Sequence, residues 1–383
     1  MPDTGGADLP NDLLGAIYSR CSSSNERARF AAACKSWRAA ASLQPKLPAL
    51  PLLLPSTGSS YLDQKARAYS PEDGRVLRSR LPWFPYGKRV VGSHDGGWVA
   101  AADGGQIEIL NLFSRACRVP VKARIPGKIS VLKVDFSEDP TSEGCILAAM
   151  TTRGRIALYR LGCPGAGWIT GECGSDESFV DTAFCNGELY ALVSNHRELY
   201  GHRLYKLTTG MDENNSTVTV LLNQLTIQWP AMLVPKNIFG LRGKLAAAMK
   251  VPTPAGGSKA RIFKVFELVP SSSGDTAWAE VVSLGDHALF LGPGSCKAVH
   301  VLAGRHGKVQ GNRIYYSRPK YMIYGGGRYP SCLDSLDLGS CTVYPFENKQ
   351  EFYRLEKIIS QGYHYREKPD GMNKISCTWI FPP

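Results

Sequence analysis

Hydrophobic positions follow two different periods along this chain. Near the amino end Leu13, Leu14 and Ile17 fall at i, i+1 and i+4 behind Pro10, which predicts a helix entered at the proline with one apolar face. Ser23 to Glu26 fits a capping box, the hydroxyl accepting from the amide three residues on while the glutamate reaches back. A second helix is therefore expected from about Ser24. Along it Phe30, Cys34 and Trp37 stand at i, i+4 and i+7, a stripe with two aromatics from which Arg27, Arg29, Lys35 and Arg38 mostly diverge. A module this short buries little by itself, so part of its apolar face is expected to be completed by a second protein.

Beyond a proline- and serine-rich stretch that begins near Pro45, helical spacing nearly disappears and period-two alternation takes over. The recurrent unit is a strand, a glycine turn and a second strand. Its turns are Asp103-Gly104-Gly105, Arg153-Gly154, Asn186-Gly187 and Arg242-Gly243, and a later unit places Gly311-Asn312 before Arg313 to Tyr316. Strands such as 204–207 and 261–268 follow as outer members. The turns recur at uneven intervals near the ~40–50 residue period of four-stranded propeller blades. The expected fold class is mainly β: a β-propeller of about six blades behind a small all-α module. Radial repetition removes the long exposed edges that so many antiparallel strands otherwise present. Two stacked β-sandwiches are the alternative, with turns at closer and more regular spacing. The expected division is a helical module over 1–50 with its core at 8–50, a connector over 51–60 and the propeller over 61–383.

At 383 residues, 43% hydrophobic and 20% charged, the chain has the makings of one large globular domain and one small one. No apolar run approaches the ~18 residues of a membrane helix, since Pro48 and Pro51 interrupt the stretch from Leu47 to Pro55, so no membrane partner is expected. With no secretory leader pattern, the eleven cysteines, none in a CxxC pair, read as reduced thiols of the cytoplasm or nucleus. The net charge of +12 gathers at Arg153, Arg155 and Arg160 and again at Lys297, Arg305, Lys308, Arg313, Arg318 and Lys320. These read as solvated outer strands; without an aromatic-interleaved basic run, nucleic acid is not the expected partner, whereas an acidic protein suits the charge.

Chemistry is sparse. Ser93-His94-Asp95 holds the residue types of a triad, but neighbours on an extended chain point alternately and cannot relay to one another. The segment from Gly292 to Lys297 lacks the spacing of a phosphate loop and reads as a turn. Cys296, His300 and His306 lack the paired knuckle of a zinc site. No catalytic residue, metal or cofactor is therefore expected, and the chain is read as no enzyme; a propeller enzyme acting on a small molecule or glycan is the rival. Tyr324, Arg328 and Tyr329 around a triple glycine, and Trp83 and Tyr86, are candidate substrate contacts because aromatics and arginine concentrate interface energy.

The Leu9-Pro10 start, the Leu13, Leu14 and Ile17 face and the closing Cys34-Lys35-Ser36-Trp37-Arg38 resemble the F-box, over about residues 8–50. That resemblance implies docking on a Skp-type adaptor and cullin of an SCF ubiquitin ligase through Leu9, Pro10, Leu13, Leu14, Ile17, Phe30, Cys34, Trp37 and Arg38. Cys21 and Ala33 stand where larger aliphatic residues are usual, which weakens the expected grip and leaves a ligase-free interaction scaffold as the alternative. Gly92 to Trp98, Leu284 to Gly292, Gly311 to Tyr316 and Trp379 to Pro382, in that order, resemble plant F-box proteins carrying the kelch-like "domain of unknown function 295". Asn111-Leu112-Phe113-Ser114 departs from that family's more usual Asn-Pro. The resemblance implies a substrate receptor whose propeller recruits a protein target.

Overall fold

Among the described residues, three short α-helices and six β-sheets make up the computed structural model. It describes residues 9–382 apart from 22, 46–48, 57–67, 78–87, 115–117, 122, 153, 164–166, 199–200, 212–217, 231–232, 251–262, 271–275, 303–306, 318–319, 322–340, 346–352 and 355–373.

Helix α1 (Asn11–Arg20) starts where expected, with the Pro10 carbonyl accepting from the amides of Leu13 and Leu14 at 3.0 Å. Helix α2 (Ser24–Ala33) is capped by Ser23, whose hydroxyl accepts from the Glu26 amide at 3.2 Å. The expected continuous stripe from Phe30 to Trp37 is corrected here. Cys34 is fully extended (φ −159°, ψ −179°), so the chain breaks and restarts as α3 (Lys35–Ser42). The break is stitched by Arg38, whose Nε donates to the Ala31 carbonyl at 3.2 Å and whose amide donates to the Cys34 carbonyl at 3.1 Å. Folding back brings Trp37 onto Phe30 at 4.5 Å between ring centroids, and Leu14, Phe30 and Ala40 form the small core.

Six sheets, here blades 1 to 6, follow among the described residues. Blade 1 pairs Leu52–Ser56 with Lys374–Ile380, from Leu52 opposite Ile380 to Ser56 opposite Ser376, so strands from the two ends of the chain close the ring. The expected connector at 51–60 thus supplies a strand; Leu53 and Leu54 are buried and Leu52 half-buried, Pro51 precedes the strand and Pro55 is its penultimate residue. Blades 2, 3 and 4 are four-stranded and begin with Arg89–His94, Val131–Phe136 and Glu177–Cys185. Blade 5 begins with Val234–Leu241 and gains Ile227–Gln228 as a parallel outer strand. In blade 6 the inner strand is Cys296–His300, and Arg313–Ser317 runs parallel to His287–Leu291. Gly311-Asn312 therefore opens a strand instead of turning a hairpin: the Asn312 side chain accepts from the Leu284 amide at 2.9 Å, back across the sheet.

Between blades lie six apolar clusters, one in each gap of the ring. Because both faces of a blade are covered, its second strand carries runs such as Ala100-Ala101-Ala102 and Ala246-Ala247-Ala248, small residues that let neighbours pack closely. The Asn186-Gly187 turn holds both residues at positive φ (52° and 78°), the backbone that a two-residue hairpin with strand twist demands.

A register slip recurs in the innermost strands of blades 2 to 5. Val91, Leu132, Val180 and Lys236 each bulge out of the ladder at corresponding positions. The next residue in each, Gly92, Lys133, Asp181 and Asn237, is thereby re-aimed. At Gly92 a Cβ would fall 2.1 Å from the Val134 carbonyl oxygen, so only glycine allows blades 2 and 3 to meet there.

Candidate functional site

Two places combine exposure with unusual chemistry. The first is the outer side of α1. Leu14 is fully buried, while Leu13 is 53% and Ile17 36% exposed beside exposed Pro10. Residues one apart on a helix diverge by about 100°, so the three aliphatics divide between the module's own core and solvent. Leu9 and Trp37 pack on the core from outside, Phe30 is inside it, Cys34 is half-buried and Arg38 exposed. The module is anchored by Glu72 of the blade 1 turn, whose carboxylate accepts from the Ser24 amide at 2.9 Å and pairs with Arg27 at 3.2 Å. An anion at the amino end of α2 also meets the positive end of the helix dipole.

The second place is a cavity of about 260 Å³ at the propeller axis, to which all six blades contribute. It is built on the bulge register. Beneath it, Lys133 is 1% exposed and donates from Nζ to Asp181 Oδ1 at 2.6 Å and to the Thr182 carbonyl at 2.5 Å, with Asp135 Oδ1 at 3.2 Å. Asp181 Oδ2 in turn accepts from the Ile238 amide at 2.9 Å and from Asn237 at 3.4 Å. One layer up, His94, Asp135, Ala183 and Phe239, each two residues past the re-aimed position, line the cavity wall. Asp135 Oδ2 accepts from the Thr182 hydroxyl at 2.6 Å, and its side chain keeps 19% exposure.

Burial and charge act against each other in this cluster. Desolvation favours neutral Lys133, but the carboxylates of Asp135 and Asp181 overcome it and hold the ammonium charged well above its usual range. Burial pushes the Asp135 carboxyl up to about 6, with Lys133 pulling the other way. The Cys296 thiol, also desolvated and facing Asp181, is pushed up to about 12 and donates to the Gly292 carbonyl at 3.3 Å, so it is no ready nucleophile. At the rim Lys297 pairs with Asp95, and its Nζ stands 5.1 Å from the Phe381 ring centroid.

The Ser93-His94-Asp95 run and the Gly292 to Lys297 segment converge here. Ser93, His94 and Asp95 reach the cavity but not one another's functional atoms: the Ser93 hydroxyl donates to the Trp379 carbonyl at 2.6 Å, and Asp95 holds Lys297. The turn at Gly292 to Ser295 delivers Ser295, Cys296 and Lys297 to the opposite wall. Cys296 and His300 sit at opposite ends of one strand, and the His300 ring faces His287 at 5.4 Å; His306 is outside the described residues. No group of three His, Cys, Asp or Glu side chains fit to hold a metal occurs among the described residues, and none of their helices is long and apolar enough to cross a membrane. Trp83, Tyr86, Tyr324, Arg328 and Tyr329 also lie outside the described residues. The Lys133, Asp135 and Asp181 cluster went unforeseen. Its trace is a charge at the bulge of otherwise apolar inner strands, in Val131 to Phe136 and Phe179 to Phe184.

A family model described as KIB1-4 beta-propeller matches residues 68–345, from the blade 1 turn to the fourth strand of blade 6. No curated protein matches the chain. Similar solved structures include a Saccharomyces cerevisiae Dbp5 variant bound to Nup159, a Gle1 variant, IP6 and ADP (10% identity, 65% of this chain and 55% of that one, TM-score 0.29). Others are the amino-terminal domain of Nup159 (9%, 78% and 78%, 0.34) and an apocarotenoid oxygenase of Synechocystis (11%, 88% and 93%, 0.32). The chain spans little more than half the length of the first of these. With every one of these TM-scores below 0.5, none bears on what the site does.

Proposed function

The chain belongs to the KIB1-4 β-propeller family, and we propose that it is the substrate-recognition subunit of an SCF-type ubiquitin ligase. In this reading a Skp-type adaptor, and through it a cullin, holds the amino-terminal helices, while the propeller captures a protein in the cytoplasm or nucleus. The chain performs no chemistry. It raises the effective concentration of its target near the charged ubiquitin carrier, which makes transfer nearly intramolecular.

The observation that carries the proposal is the solvent-facing Pro10, Leu13 and Ile17 surface of a module that is itself anchored to the propeller by Glu72. Its test is the double substitution Leu13→Asp and Ile17→Asp, which adds charge to exposed positions. Adaptor and cullin recovered with the purified chain are expected to fall at least tenfold while the melting temperature stays within a few degrees. Equal recovery from parent and variant, or none from the parent, rejects it. A ligase-free interaction scaffold is the second reading, favoured by the burial of Leu14 and Phe30 inside the module's own core.

A further inference from the structure

We propose that the axial cavity is a socket for one cationic side chain, preferentially arginine, carried on a segment of the captured protein. The inference rests on the receptor reading for the identity of the occupant; filling of the socket itself requires no adaptor.

The floor decides the sign of the guest. Lys133 directs its three protons to Asp181, the Thr182 carbonyl and Asp135, and has none left for an anion. Asp135 is the reverse case. An ionised carboxylate offers about four acceptor positions, and the bonds from Lys133 and Thr182 occupy two of them. Its partial exposure places the remaining acceptor capacity in the cavity. Two carboxylates against one ammonium leave the cluster net negative, an arrangement stabilised by a further cation.

The walls suit the rest of such a side chain. Phe136 and Phe381 are buried beside the cavity and Phe184 is half-buried, an apolar sleeve for a methylene stem. A volume of about 260 Å³ lies below the ~300–1,000 Å³ of drug-sized sites and matches a single inserted group. Arginine is preferred because its planar fork bonds a carboxylate through two parallel N–H groups and stacks on aromatic faces. The chain's net charge of +12 repels generally basic segments, so the fitting partner carries its cation within an acidic stretch.

The test uses the purified full-length chain and fluorescence anisotropy. Labelled acidic peptides carry a central arginine, alanine or glutamate, and N-acetylarginine amide serves as competitor. The arginine peptide is expected to bind at least tenfold tighter than the other two and to be displaced by the competitor. Asp135→Asn, which keeps shape and removes charge, should cost at least tenfold with a melting temperature near the parent's. Lys297→Glu, at the exposed rim, should raise the arginine peptide's advantage over the alanine peptide about threefold, a ratio in which repulsion of the shared acidic flanks cancels, and decides the matter if the Asn variant does not fold. Equal affinity for all three peptides, or affinity indifferent to both substitutions, overturns the proposal. Should the free amide bind as tightly as the peptide, the site belongs to a small cationic molecule and the peptide-borne form is overturned. None of these readouts depends on cullin recovery.

Discussion

Asp135 is the residue on which local physics is most exposed to measurement. Its carboxyl is pushed by burial from an ordinary 3.8 up to about 6, within reach of Lys133 on its own strand, Asp181 and Thr182 of blade 4 and Cys296 of blade 6. A carboxyl with a raised folded-state pKa takes up a proton that the unfolded chain releases, so its contribution to stability is full below about pH 4 and is lost as pH rises through about 6. Denaturant midpoints of parent and Asp135→Asn between pH 4 and 7 test this. The parent's stability relative to the variant should decline from pH 4 to 6 and level off above; a rise over that range contradicts the assigned cause. An aspartate in a strand usually lies on a solvated face, so local spacing does not mark this residue. Only the slip at Leu132, set by pairing with Ile146–Thr151, turns the strand so that Lys133 and Asp135 face the axis.

Among elements, the turns were the most legible and the helix break the least. Asn186-Gly187 and Arg242-Gly243 both adopt positive φ throughout; for Asn-Gly this is a property of the dipeptide, whereas Arg242 is also held by its guanidinium donating to the Leu284 carbonyl at 2.7 Å. The break at Cys34 has no such marker, since Ala31-Ala32-Ala33 are good helix formers; it is maintained by Arg38 bonding back to Ala31 and by the aromatic contact of Trp37 with Phe30. The hold of α2 on blade 1 is likewise invisible to local spacing, because Ser24 and Glu72 are 48 residues apart. Glu72→Ala should remove the helix-end anion and the carboxylate partner of the buried Arg27, which keeps its bonds to the Cys21 carbonyl and the Ser24 hydroxyl, at a cost of about 1–3 kcal/mol. Urea denaturation followed by far-ultraviolet circular dichroism reads it, and a change below 1 kcal/mol rejects the latch.

For the molecule as a whole, closure is the decisive event. Trp379 is fully buried; its indole donates to the Leu291 carbonyl at 3.0 Å, and its own carbonyl accepts from the hydroxyls of Ser93 and Ser295. One residue thus joins blades 1, 2 and 6 at the seam between the chain's two ends. Trp379→Ala should cost about 3–5 kcal/mol, as large core truncations do. Because the seam sustains the ring, a lowered denaturant slope should accompany the lower midpoint. An unfolding free energy within 1 kcal/mol of the parent's places the closing strength elsewhere.

Spacing along the chain was sufficient for the helical amino end, the period-two strands, most hairpin turns and, from their recurrence, a ring of about six blades. These are properties of residues a few positions apart, where backbone sterics and side-chain periodicity act without help. Tertiary structure decided which of Leu13, Leu14 and Ile17 faces water, that 51–60 enters a blade, that Gly311-Asn312 leads into a parallel strand, and that a charged cluster lies on the axis. Each of those depends on partners distant along the chain, from the 16 residues separating Leu14 from Phe30 inside the helical module to the 328 separating Leu52 from Ile380 across the closed ring. Strand pairing over such distances sets register and burial, and local preference carries no record of it.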